Sequence, residues 1–285
     1  VSIGLNKGSR IVGREDMPRP VVLNESGWEA SSKFRIPRML HGPDVAPAMW
    51  DFLARSVSAS LLRSRNSTPQ IQEQDNTLVA WIHVTDKCNL RCSYCYLPHV
   101  REDMSLEAGR AVIGSVFQSA VLHGYREVKL KYAGGEPLLN FPLILELNAL
   151  AASLADQCDI SLDSVILSNG TLLTAEIAVA MRSAGIRLMI SLDGLGEIHN
   201  IHRPYAGGHG SFEDVSRGIS IALDFGLVPD ISITISSKVV AGLSDLLGWV
   251  LEQDLPFSLN FYRENLFSLP NADLNMVDDQ VITLL

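Results

Sequence analysis

Cysteine is scarce here. Four residues in 285 are too few to staple a domain of this size, which excludes a disulfide framework. No apolar run is expected to reach the length needed to cross a bilayer, so no membrane association is expected. Val1 to Pro20 lacks the apolar core of a signal peptide, and a cytoplasmic location follows as an expectation. Positive charge is in deficit: 23 Lys and Arg against 32 Asp and Glu give a formal charge of −9. No basic run or aromatic-interleaved basic stripe offsets it, so a polyphosphate backbone would be repelled and no nucleic-acid partner is expected. Internal repeats and low-complexity tracts are missing as well. The histidines include no i, i+4 pair on a helix of the kind a zinc hydrolase needs. His83, His199, His202 and His209 are therefore given no catalytic role.

What the chain does have is a thiol cluster. Cys88, Cys92 and Cys95 lie within eight residues, directly after the apolar run Leu78 to Val84. A cubane iron–sulfur cluster has four irons, each wanting an outer ligand, so three thiolates leave one iron open for chemistry. A structural zinc site is the alternative; it would need a fourth ligand, with His83 or His99 nearest. Zinc ribbons bring their cysteines as two separated pairs, whereas Cys158 stands alone at the end of a helical pattern.

From Leu78 onward, short β-branched runs alternate with longer amphipathic ones. Strands are expected at Leu78 to Val84, Glu127 to Tyr132, Asp163 to Leu167, Arg187 to Ser191, Asp230 to Ile235 and Phe257 to Phe261. Helices are expected at Leu106 to His123, Pro142 to Gln157, Ala175 to Ala184, Phe212 to Phe225 and Leu243 to Glu252. Each strand but the last is followed by a helix, which reads as an α/β parallel sheet. Right-handed crossovers would curl it into a partial (β/α)6 TIM-like barrel. Thr174 and Ser211 read as N-caps, and Gly185 and Gly226 as C-terminal stops. The domain division expected is an N-terminal extension over 1–77, with one helical stretch from Pro47 to about Ser64, and a barrel over 78–285. Val1 in place of Met suggests a trimmed or processed end or an alternative start codon.

Four segments, all at expected strand ends, carry a family resemblance. They are the cysteine loop with Tyr94 before its last thiol; Gly134-Gly135-Glu136-Pro137; Ser168-Asn169-Gly170-Thr171; and Ser191-Leu192-Asp193-Gly194 followed by His202-Arg203-Pro204. Together they resemble the radical S-adenosylmethionine (radical SAM) superfamily, over Leu78 to about Asn265. The resemblance implies a [4Fe-4S] cluster on Cys88, Cys92 and Cys95, with S-adenosyl-L-methionine chelating the fourth iron. One electron then yields a 5′-deoxyadenosyl radical, chemistry that belongs to the cofactor. It further implies that Gly134, Gly135, Glu136 and Pro137 meet the methionine ammonium with Glu136 as anionic partner, that Ser191 contacts the ribose, and that Arg203 forks onto the carboxylate. Tyr94 and Asn169 join the cofactor-binding set. Asn169 in Asn-Gly has an equal reading as a turn former, and Asp193 as a turn cap or substrate contact.

The cysteine loop, Ser191-Leu192-Asp193-Gly194 and Gly208-His209-Gly210-Ser211-Phe212 look like the branch that modifies peptides and proteins. Members of that branch often continue into a cysteine-rich domain with auxiliary clusters, whose cysteines this chain does not carry. The expected activity is hydrogen abstraction from a precursor peptide to form a crosslink, as a maturase of ribosomally made peptides. Formylglycine formation in the manner of a sulfatase maturase is the alternative. A metal-binding barrel without radical chemistry is the alternative of another class. The expected partners are a peptide or protein substrate and a reductant such as flavodoxin or ferredoxin; which residues are catalytic is not legible.

Overall fold

A computed structural model describes residues 76–98, 100, 102–263 and 273–276, with the backbone of three short strands near the N-terminus. The expected helix from Pro47 and the ligand candidate His99 lie outside the described residues. The chain divides into two compact units, Val1–Glu73 with Val277–Leu285, and Gln74–Met276. In the first, β1 (Ser2–Gly4), β2 (Arg10–Val12) and β3 (Val21–Leu23) pair antiparallel in that order.

The second unit alternates strand and helix. Its strands are β4 (Thr77–Thr85), β5 (Glu127–Gly134), β6 (Ser161–Ser168), β7 (Ile186–Ser191), β8 (Asp230–Ile235) and β9 (Phe257–Phe261). All pair parallel, in sequence order. The helices are α1 (Leu106–His123), α2 (Phe141–Cys158), α3 (Ala175–Ser183), α4 (Glu197–His202), α5 (Phe212–Asp224) and α6 (Leu243–Glu252). The result is a six-stranded half-barrel, a partial TIM-like barrel. Its outward strand residues, such as Ile82, Leu130, Ile166, Leu188 and Ile233, are buried under the helices, each worth roughly 1.5–3 kcal/mol of burial.

Local signals account for the element ends. Thr174 caps α3 by accepting from the Ile177 amide, and Gly185 and Gly226 adopt φ +65° and +70° past α3 and α5. Ser211 occupies the expected cap position, yet its hydroxyl turns to the Arg203 carbonyl instead. Pro137–Cys158 corrects the expectation that no run is long and apolar enough to span a bilayer, since by length and composition it is. It is the crossover between the neighbouring parallel strands β5 and β6, and it buries Phe141, Leu143, Ile144, Leu147, Ala151 and Ala155. Both ends of that helix are tied to one sheet, and this placement fixes it as a core helix.

The inward face of the half-barrel is charged low down. Asp163 accepts two bonds from Arg187 at 2.8 and 2.9 Å and an ion pair from Lys129 at 2.8 Å. Arg187 also reaches Asp230 at 2.9 Å. The Arg187 bonds, together with Lys129 and against burial, hold the Asp163 carboxyl down to about 2. A depressed carboxylate contributes stability above its ordinary value near 4 and loses it as pH falls toward 2. Asp163→Asn is thus expected to cost about 1–2 kcal/mol at neutral pH, allowing for solvent screening. It should also flatten the loss of stability between pH 4 and 2, followed by urea unfolding across that window.

Candidate active site

The ends of the parallel strands set the stage, as in barrels generally. After β4 the register with β5 shifts between His83 and Thr85, a bulge of the kind that re-aims a chain. The cysteine loop follows at once. It is laced to the end of α4 and the segment that follows: the Arg91 amide donates to Pro204 O at 2.8 Å, the Ser93 amide to His202 O at 2.9 Å and the Ala206 amide to Asn89 O at 3.0 Å. Leu90 and Tyr205 form an antiparallel bridge.

On the other flank, the Gly135 amide donates to Thr85 O and the Glu136 amide to Lys87 O, both at 2.8 Å. A Cβ on Gly134, whose φ is +151°, would stand 2.2 Å from Thr85 O; one on Gly135 would stand 2.3 Å from Lys87 O. The two glycines let β5 press against the start of the cysteine loop.

Cys88, Cys92, Cys95, Tyr94, Gly134, Gly135, Asn169, Ser191 and Arg203 line one cavity of about 230 Å³ at these strand ends. Burial pushes the Cys92 thiol up to about 12, against the pull of the Arg203 guanidinium, and burial raises Cys88 as well. A bound metal deprotonates such a thiol outright.

The set fits a multi-iron cluster better than a zinc ion. All three cysteines are free. Among the described residues, no three His, Cys, Asp or Glu side chains gather closely enough to close on a single ion. A cubane spreads its ligands over separate irons, and three thiolates facing one cavity leave its fourth iron open.

Behind the cavity lies a buried polar core. Asp193 is fully buried and accepts from Tyr94 Oη, from Arg203 Nε at 2.7 Å and from the Thr234 amide at 2.7 Å. Burial raises its carboxyl, but Arg203, His199 and the hydrogen bonds outweigh that and hold it below the usual range. Arg203 in turn directs Nη1 at Cys92 Sγ, 3.8 Å away, and its guanidinium carbon lies 5.3 Å from the centre of the Tyr94 ring. His199 packs beside Asp193, and burial lowers it to about 4.

Glu136 forms a second buried polar cluster. Its carboxylate is fully buried behind the loop and accepts from the Leu138 amide at 3.0 Å, Ser168 Oγ at 2.8 Å and the Asn169 amide at 2.7 Å. It ties the end of β5 to the end of β6. Neither it nor Pro137, also buried, reaches the cavity wall. Glu136→Ala would leave these donors unpaired and is expected to cost about 2–3 kcal/mol, read from urea unfolding of the metal-free protein. Asn169 lines the cavity, accepts from the Thr171 amide at 3.0 Å, and donates to Asn89 at 2.9 Å. Asn89 itself escaped the sequence reading, its position inside the cysteine loop being its one signal.

Fold and cavity together define a parallel half-barrel enzyme with a three-cysteine loop at its mouth. Residues 82–239 match the Radical SAM superfamily, and the chain belongs to it. It is a radical SAM enzyme, a family that implies a [4Fe-4S] cluster, here at Cys88, Cys92 and Cys95, and S-adenosylmethionine as cofactors. It is similar to an uncharacterised protein of Methanocaldococcus jannaschii, 29% identical over 199 residues, which cover 67% of this chain and 66% of that one. It is similar also to the Fe-coproporphyrin III synthase of Methanosarcina barkeri, 26% identical over 219 residues, 74% of this chain and 51% of that one. Among solved structures, anSMEcpe with bound AdoMet and a Kp18Cys peptide superposes with a TM-score of 0.59 at 21% identity, over 66% of this chain and 51% of that one. The last likeness is one of fold. The chain spans between half and two-thirds of the length of these relatives.

Proposed function

We propose that this chain abstracts a hydrogen atom from a residue of a precursor peptide and so forms a crosslink within it. The observation that carries the reading is the sheet order: among the described residues β4 and β9 are unpaired edges, so the half-barrel is open along one side. An extended chain entering there could bring one side chain to the cavity at the strand ends. The solved neighbour held a peptide together with AdoMet, which makes a peptide the first substrate to try.

When bound, the cluster and S-adenosylmethionine supply a hydrogen-abstracting carbon radical by one-electron cleavage. The chain's residues hold and orient it. Arg203, fixed by Asp193, has guanidinium N–H groups left for the methionine carboxylate, and the Ser191 hydroxyl lies on the cavity wall for the ribose. The Gly134-Gly135 backbone lines the same cavity and is placed to meet the ammonium. Leu90, Tyr94 and Leu167 wall the cavity against water.

The test is anaerobic turnover of the cluster-loaded enzyme with candidate peptides. Formation of 5′-deoxyadenosine should keep step with a mass loss of about 2 Da per crosslink, the two hydrogens of an oxidative bond formation. Deuterium should pass from labelled peptide into 5′-deoxyadenosine. Coupling to a small metabolite alone, with no peptide turned over, would overturn the reading.

A further inference from the structure

The charged inner face of the half-barrel holds one cation that its neighbours do not satisfy. Lys131 stands beside Trp81 in the β4–β5 register, its Nζ 4.8 Å from the centre of the indole ring. Lys129, two residues below on the same strand, is paired with Asp163, and Arg187 is paired with both Asp163 and Asp230. Around Lys131 three cations therefore share two carboxylates; the third carboxylate of this face, Glu127, lies further down β5 and accepts from Thr77. Both carboxylates are committed elsewhere, and among the described residues Lys131 makes no ion pair. Burial, then the charges of Lys129 and Arg187, depress its ammonium.

Trp81 and Ala133 both line the cavity that the three cysteines open onto, and Ala133 is the next residue on the inner face above Lys131. Lys131 thus stands one inner-face position below that cavity, outside its lining but against Trp81, on the side away from the cysteine loop. The indole face orients the ammonium. Its N–H donors are left over, and an anion arriving there meets a surplus of positive charge without displacing a resident carboxylate.

We infer that Lys131, seated on Trp81, receives a carboxylate of the substrate peptide and so sets the depth at which the reacting residue is presented. The inference rests on the peptide reading above, since the same cation would suit other anions. The carboxylate can come from an acidic side chain or from the peptide's C-terminus.

Small probes separate these cases. The full cluster-loaded protein, with S-adenosylmethionine bound, is titrated with N-acetylglutamate α-amide, which carries only a side-chain carboxylate, and with N-acetylglutamine, which carries only the terminal one. The neutral N-acetylglutamine amide is the control. The readout is the fluorescence of Trp81, isolated as the difference between the native protein and its Trp81→Phe variant. A carboxylate-dependent change is expected, about tenfold weaker in affinity in Lys131→Gln, as loss of a charge-assisted bond implies. Lys131→Arg should retain it. Whichever probe binds more tightly assigns the source. Equal affinity in Lys131→Gln, an equal response to the neutral amide, or no response at Trp81 overturns the inference, and so does a preference for inorganic phosphate over both carboxylates. Turnover with peptide is measured separately. A working enzyme without this response loses only the carboxylate site, and a responding protein that turns over no peptide loses only the maturase reading.

Discussion

Replacing Cys92 by Ala is expected to abolish both cluster assembly and reductive cleavage of S-adenosylmethionine. Three thiolates hold three irons of a cubane, and a two-thiolate remnant leaves a second iron without a protein ligand. Cys92 has the further distinction of receiving Arg203 Nη1 at 3.8 Å, so its loss also strips the buried guanidinium of one of its partners. Anaerobically reconstituted native protein should bind about four irons and four sulfides, the cubane count. The Cys92→Ala variant should bind little of either and form no 5′-deoxyadenosine. Cys158 sits at the end of α2, outside the cavity lining, and Cys158→Ala should match the native protein in both. Full activity in Cys92→Ala would undo the ligand assignment.

Gly135→Ala is expected to be nearly as damaging without touching a ligand. The added methyl would lie 2.3 Å from Lys87 O, 2.6 Å from Lys87 C and 2.8 Å from Asp86 O. All three are backbone atoms, so no side chain can swing aside. The loop must move, one residue before Cys88, at a cost at the upper end of the ~1–3 kcal/mol typical of overpacking. Most of the bound iron should be lost along with S-adenosylmethionine cleavage. Gly114 in α1 supplies the contrast: nothing lies within 4 Å of its added Cβ, and Gly114→Ala should stabilise the protein by about 0.5–1 kcal/mol with iron content unchanged. Iron and sulfide analysis beside urea unfolding reads both variants, and normal iron loading of Gly135→Ala would discount the close approach.

The repeating pattern of the half-barrel was legible because each strand carries a β-branched run and each helix an apolar face. The expected ranges of β8, β9, α1 and α6 coincide with those observed. β4 and β5 run further than expected, to Thr85 and Gly134, where backbone pairing continues past the last hydrophobic side chain. The short helix α4 was not visible, since six residues between glycines and a proline carry no period. In the site, residue types were legible and directions were not. The sequence cannot say that Glu136 turns inward to three donors while Asp193, expected only as a turn cap or a substrate contact, anchors Tyr94, Arg203 and Thr234. That choice is made by the strand ends packed on either side, which belong to distant parts of the chain.

The lacing of the cysteine loop onto His202 to Ala206 has a consequence for biosynthesis. All three thiols leave the ribosome early, but the segment that holds their loop lies about 110 residues later. At roughly 5–20 residues per second, the thiols wait on the order of 5–20 s before their partner exists. During that interval the loop has no ribbon to fix its shape, and its sulfurs are open to oxidation and to stray metals. Loading of the iron–sulfur cluster is in this sense a step that follows the synthesis of β7 and α4, and a chain stalled or cut before Ala206 would carry every ligand and still be unable to hold the site.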